Sequence, residues 1–178
     1  AVNLPGVSSS AKFDLLINTT AAAVTETFEL DAGRTLSSIP AGPFVRLSAS
    51  GVSISVLGQT LTGNFYFEQS SSGGQKTTRL AASGVGLTIG DGSTDYLTLS
   101  GGSGALLVTA AGVAGRISAQ VSVSNVPQFG LSGTMTVAVN TTSAAVVESF
   151  TVAGATVSLN LPAGPYLRAE ATGVALTV

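Results

Sequence analysis

The chain is a succession of short runs rich in Val, Ile, Leu, Thr, Phe and Tyr, punctuated by Gly, Pro, Asn, Asp and Ser. In most runs the apolar residues fall at every second position, the period of a strand with one face on a core. Strands are predicted over 13–18, 24–30, 35–39, 44–56, 61–68, 77–89, 96–100, 105–110, 116–124, 131–140, 146–152, 156–161 and 166–178. Gln69–Gln75 reads as a polar hairpin loop. No stretch carries the period of an amphipathic helix. Connections of about 2–6 residues favour antiparallel neighbours.

Three of the longest runs change parity midway. Val45, Leu47 and Ala49 alternate on one face, and the apolar set then becomes Val52, Ile54 and Val56. The same slip divides Leu80 and Ala82 from Val85, Leu87 and Ile89, and Leu167, Ala169 and Ala171 from Val174, Leu176 and Val178. A regular strand alternates strictly, so a slip requires a bulge or a sharp bend, and glycine has the backbone freedom for one. The motif Ala-x-Gly-Val marks these points at Ala49–Val52, Ala82–Val85 and Ala171–Val174, and recurs at Ala110–Val113. It is expected to be a kink at which a long strand turns from one sheet to another, with positive φ at Gly51.

The chain also repeats itself. Asn3–Val56 aligns with Asn125–Val178 without a gap, at an offset of 122 residues, and 20 of the 54 pairs are identical. Asn18-Thr19-Thr20 returns as Asn140-Thr141-Thr142, and Pro40-Ala41-Gly42-Pro43 as Pro162-Ala163-Gly164-Pro165. Glu26, Phe28, Arg46, Ala49, Gly51 and Val52 keep their identities. Such self-similarity is the mark of a tandem array. Residues 1–124 form a first 122-residue unit and 125–178 a partial second unit, truncated in mid-unit. The full chain is expected to continue with a segment resembling Gly58–Glu68. The ungapped period leaves no linker, and the one plausible joint is Val126-Pro127-Gln128, with Leu4-Pro5-Gly6 as its counterpart.

Composition narrows the function classes. Hydrophobic residues make up 44% of the chain but aromatics only 6%, so the core is expected to be thin and built from Ala, Val and Leu. The seven basic residues are scattered and the net charge is −2, which argues against the clustered positive patch that nucleic acid requires. No apolar run is long enough for a membrane-spanning helix. Long alternating strands are compatible with a transmembrane barrel, but its usual aromatic girdles are missing. There is no Cys, His or Trp. Disulfides, thiol chemistry and the commonest general base are therefore excluded.

The remaining candidate chemistry is sparse. Ser9-Ser10-Ala11-Lys12 fits Ser-x-x-Lys, a motif that works on a helix, yet here it leads into a strand. Glu26, Glu29 and Asp31 lie close together, but the second copy has Thr151 and Ala153 at the last two positions. Asp91, Ser93 and Asp95 form the best metal candidate, because calcium takes several oxygens from a tight loop. Gly90–Thr98 also matches part of the glycine- and aspartate-rich calcium β-roll pattern. An ordinary turn explains the same residues. Asn18 and Asn140 head glycosylation sequons, and a hairpin turn explains them too. Glu26 with Arg46 and Glu148 with Arg168 are spaced alike and are expected to form a repeated cross-strand ion pair.

The Asn-Thr-Thr, Pro-Ala-Gly-Pro and Ala-x-Gly-Val blocks, with low charge, no Cys and abundant Gly, Ser, Thr and Val, resemble tandem-repeat regions of very large secreted bacterial surface proteins of the adhesin and RTX-like groups. The resemblance implies an extracellular or cell-surface setting and a role as stalk, extender or filament material. The expected fold is all-β: an elongated, mainly antiparallel, β-solenoid-like repeat stack, with consecutive β-sandwich domains as the alternative. The expected function is structural and not enzymatic, with an adhesin-type binding module for glycan or surface as the second reading. Expected partners are neighbouring repeats or identical subunits, with no nucleic acid and no membrane span. No cofactor is expected unless the Asp91 loop takes calcium.

Overall fold

A computed structural model of the protein describes residues 7–26, 28–31, 34–36, 38–56 and 59–178. Leu4-Pro5-Gly6, expected as the counterpart of the joint, lies outside the described residues. The strands are β1 (Val7–Asn18), β2 (Phe28–Asp31), β3 (Arg34–Leu36), β4 (Phe44–Val56), β5 (Gln59–Ser72) and β6 (Gln75–Gly90). They continue with β7 (Asp95–Thr109), β8 (Gly112–Val126), β9 (Phe129–Asn140), β10 (Val146–Val152), β11 (Ala155–Leu161) and β12 (Tyr166–Thr177). The chain is all-β, and its main sheet is antiparallel with the order β1-β4-β5-β6-β7-β8-β9-β12. The hairpins β2–β3 and β10–β11 stand apart from it. Among the described residues, no helix is long and apolar enough to cross a membrane.

The two copies of the sequence repeat adopt one topology. Each is a sheet strand, a detached hairpin and a second sheet strand beside the first. Their registers coincide: Asn18 faces Phe44 and Lys12 faces Ser50, as Asn140 faces Tyr166 and Thr134 faces Thr172. Val126-Pro127-Gln128 is a tight turn across which β8 pairs with β9, so one sheet runs through both copies. The described residues thus form one mainly antiparallel sheet shared by both copies, with no closed barrel or solenoid among them.

The conserved spacing between Asn-Thr-Thr and Pro-Ala-Gly-Pro has a geometric cause. The Asn140 side-chain nitrogen donates to the carbonyls of Ala144 and Pro162, at 2.9 and 2.7 Å. Its oxygen accepts from the Thr142 backbone N–H and hydroxyl. Asn18 makes the same four bonds to Ala22, Pro40 and Thr20. A Cβ on Gly42 or Gly164 would run into the backbone carbonyl of the corresponding Asn, so only glycine fits the corner. Both sequons are thus buried struts whose amide hydrogens are already donated, as the turn reading requires.

The expected parity slips are β-bulges. Gly51, Gly84 and Gly173 have φ of +61°, +59° and +60°, and the sheet register shifts at each. The strands do not pass to another sheet, contrary to expectation; each bulge stays within the eight-stranded sheet. Nor is Ala110–Val113 a kink, because it closes the β7–β8 hairpin, and the bulge of β7 falls instead at Gly101, φ +59°. The two short strands expected at 96–100 and 105–110 are therefore one. Each bulge inserts one residue and so returns the next apolar set to the same face.

The sheet has two unlike faces. On one face β10–β11 lies across β6–β8 and packs Val146, Phe150, Val152, Val157, Leu159 and Leu161 onto Ala81, Ala105, Leu107, Ala114 and Ala138. The alanines let the hairpin approach closely, which is how a chain with few rings fills its core. The opposite face carries Leu47, Phe65, Phe67, Leu80, Leu106, Ile117, Met135 and Val137 around an apolar trough of about 550 Å³. No described element covers it, and Ile117 is 63% exposed.

Candidate functional site

The densest polar arrangement lies where the β10–β11 hairpin meets β4, β5 and β6. Glu68 is at its centre. Its Oε2 accepts from Arg46 Nη2 at 2.8 Å and Nε at 3.1 Å, and from the Tyr66 hydroxyl at 2.6 Å. Arg79 Nη1 reaches Oε1 at 3.5 Å, and Arg79 Nη2 stands 3.5 Å from Glu148 on the hairpin. The register explains the convergence: Arg46, Glu68 and Arg79 occupy directly opposed positions on three adjacent strands. The Arg46 guanidinium also lies 5.2 Å from the Phe44 ring centroid and 5.8 Å from that of Tyr66, within reach of cation–π attraction.

The electrostatics are those of a satisfied structural cluster. Burial alone would raise the Glu68 pKa, but hydrogen bonds from Tyr66 and Arg46 and the charges of Arg46 and Arg79 outweigh it and hold the carboxyl below its usual range. Burial, followed by the bond to Glu68, pushes the Tyr66 hydroxyl up to about 12. Arg46 is raised because its pairing with Glu68 and Tyr66 more than offsets its own burial. Among the described residues no buried side-chain N or O lacks a hydrogen-bond partner. Nothing in the cluster is aimed at an absent group, and a carboxylate held ionised by two arginines is a poor general base.

The ion pairs expected from spacing are not formed. Arg46 pairs with Glu68 in place of Glu26, and Arg168 pairs with Glu170, at 2.9 Å, in place of Glu148. The spacing of 20 residues within each copy carried no register information. Glu68 and Arg79 had a usable signal that was missed. They are equidistant from Gly73-Gly74, the turn whose two positive φ values close the β5–β6 hairpin, so they must face each other.

The Asp91 loop is a turn held by its own aspartate. Asp91 Oδ1 accepts from the Ser93 N–H and hydroxyl and the Thr94 N–H, at 2.8–2.9 Å, and Oδ2 accepts from the Tyr96 hydroxyl at 2.8 Å. The Ser93 N–H, then Tyr96, hold the carboxyl well below the usual carboxylate range. Four donors point their positive ends at the carboxylate, whereas calcium takes a shell of oxygens. No group of three His, Cys, Asp or Glu side chains with metal-binding spacing is gathered among the described residues. The segment containing Ser9 and Lys12 lies in β1, so the helical geometry of Ser-x-x-Lys is absent. The side chains of Glu29 and Asp31 lie outside the described residues.

No protein-family model matches the chain, and neither a curated protein nor a solved structure is similar to it.

Proposed function

We propose that the protein is a structural repeat segment of a large extracellular protein, serving as stalk, extender or filament material, and that it is not an enzyme. The observation that carries this reading is the passage of one sheet through both repeat copies in the same register, bulge for bulge. A unit that continues its neighbour's sheet adds length without a hinge, and an array of such units buries each against the next. The partners in this reading are neighbouring repeats of the same chain or identical subunits. The absence of His and Cys and the saturation of the Glu68 cluster support a non-catalytic role.

The test is a chain with one more unit. Asn3 and Asn125 are equivalent, so a second copy of residues 3–124 can be placed before Asn125 without a scar. Between β1 and β9 the sheet advances six strands. At about 4.7–4.9 Å per strand, the added unit extends the path of the sheet by about 28 Å. Small-angle scattering should report a single longer body. Two bodies tumbling on a flexible joint would refute the proposal.

A second reading, an adhesin-type binding module, is favoured by the uncovered trough around Phe65, Phe67, Leu106 and Ile117. Its lining is almost wholly apolar, which fits an apolar surface better than a glycan, whose hydroxyls need polar partners. Replacing Ile117 and Met135 by Lys should abolish adsorption to an apolar surface on this reading and leave it unchanged on the first.

A further inference from the structure

We propose that the outer edge of β12 is a specific acceptor for one kind of strand, an extended segment of the β5 type, and that Arg168, Gly173 and Thr177 read its sequence. This deepens the array reading above and rests on it. The argument starts from β4, the equivalent of β12 in the first copy. The outer edge of β4 is filled by β5, whereas the outer edge of β12 has no sheet neighbour among the described residues. The molecule therefore contains both the occupied and the open form of one interface.

The occupied form shows what is recognised. Arg46 donates twice to Glu68 on β5. The bulge at Gly51 turns its N–H outward, where the Asn64 side-chain oxygen accepts it at 2.9 Å. Gly63 faces Val52, but a Cβ there would press on Val85 of β6 and Phe65 of β5, so this glycine is set within the β5–β6 hairpin and not by β4. At the far end the hydroxyls of Ser55 and Thr60 hydrogen bond at 2.8 Å. Glu, Asn and Thr at fixed spacing on β5 thus meet Arg, a bulged N–H and a hydroxyl on β4.

The open form keeps the same reading groups. Arg168 replaces Arg46, Gly173 repeats the bulge at φ +60°, and Thr177 supplies the hydroxyl of Ser55. Exposure changes as the missing neighbour requires: Val52 is 8% exposed and its counterpart Val174 is 52%. Arg168, with no strand on its outer side among the described residues, folds onto Glu170 of its own strand, where the first copy has Ser48. An incoming strand in the β4–β5 register would set Glu opposite Arg168, Thr opposite Thr177, and Asn beside the Gly173 N–H. Exposed sheet edges pair promiscuously unless marked, and these marks select a register as well as a partner.

The experiment extends the 178-residue chain after Val178 with the sequence of residues 57–90, which supplies a β5–β6 hairpin at the natural spacing because Val178 is equivalent to Val56. Hydrogen exchange of the β12 amides is then compared with the unextended chain. Docking in the stated register should slow it at least about tenfold. Extensions in which the counterparts of Asn64 and Thr60 become Ala should lose that protection. Arg168→Glu should weaken it about two- to fivefold, and Glu→Arg at the counterpart of Glu68 should restore it. Unchanged exchange in β12 would overturn the proposal. So would equal protection by a scrambled extension, which would show generic edge pairing without selection. Failure here together with a single longer body in the scattering test would leave the array reading standing and remove only the edge code. Success here with two loosely joined bodies would do the reverse.

Discussion

Replacing Asn140 by Ala should be among the most destabilising single changes in the molecule. The side chain is fully buried and makes four hydrogen bonds, two donated to Ala144 and Pro162 and two accepted from Thr142. Each contributes about 0.5–1.5 kcal/mol net, and a buried partner left unpaired costs about 1–3 kcal/mol. The Thr142 hydroxyl can turn wholly to Ala144, to which it already donates at 2.9 Å, so the losses do not simply add. About 3–5 kcal/mol is expected, the range reserved for broken buried networks. Thr142→Val, which removes one hydroxyl and keeps the Asn140 strut, should cost about 1–2 kcal/mol. Ser143→Ala, on the exposed part of the same turn, should cost less than about 0.5 kcal/mol. Urea unfolding followed by far-UV circular dichroism measures all three, with an unchanged denaturant slope as the check that the native state is intact. A loss below about 1 kcal/mol for Asn140→Ala would refute the strut argument, because it would mean the turn closes without its side chain.

Four further outcomes follow from the same geometry. Gly51→Val should cost about 1–3 kcal/mol purely through its positive φ, because no atom lies within 4 Å of the added Cβ; a loss no larger than that of Gly51→Asn, which tolerates this backbone region, would contradict it. The Glu68 pKa is depressed in the folded state, so its contribution is present above the ordinary carboxylate range and is lost as pH falls through the folded value; Glu68→Gln should flatten the acid limb of the stability profile, and an unaltered limb would count against the cluster. Tyr66 is raised in the folded state, so its contribution is complete below the unfolded value of 10.0 and lost as pH rises towards about 12; absorbance titration should show Tyr66 and Tyr96 both ionising late, and Tyr66→Phe should remove the component at about 12, whose persistence would assign that shift elsewhere. Millimolar calcium should leave the melting temperature unchanged, and a rise that Asp91→Asn abolishes would establish the loop as a metal site.

Much of the backbone plan was legible because period-two alternation and glycine placement are local signals. Phe44–Val56 and Val146–Val152 are strands over the predicted residues, and the slips at Gly51, Gly84 and Gly173 are bulges. The errors have a common source in signals that depend on the neighbouring strand. Gln69–Gln75 is polar and reads as loop, yet β5 and β6 run on to a two-residue turn because Ser70 and Thr77 pair at a position where polar side chains are tolerated. Gly101–Gly104 reads as a break in β7, but glycine is needed because a Cβ on Gly102 or Gly104 would crowd Val85 or Ile117. The candidate site was the least legible part. Glu68 and Arg79 face each other across the Gly73-Gly74 turn, but Arg46 joins them only once β4 is in register beside β5. That β10–β11 leaves the sheet and lies on it was also unreadable, since a strand has the same alternation in either layer.

The placement of that hairpin puts the period of the sequence out of phase with the block that folds. Val146–Leu161 belongs to the second copy, yet of the residues it seals only Ala138 does, and Ala81, Ala105, Leu107 and Ala114 belong to the first. The second copy thus covers a seam that the first leaves bare. A chain cut at the repeat boundary after Ser124 would contain a whole period and still lack the cover of its own core, whereas a cut after Leu161 would keep it. Synthesis inherits the same order: the alanine-lined strands of one copy wait, exposed, until the next copy's hairpin has been made.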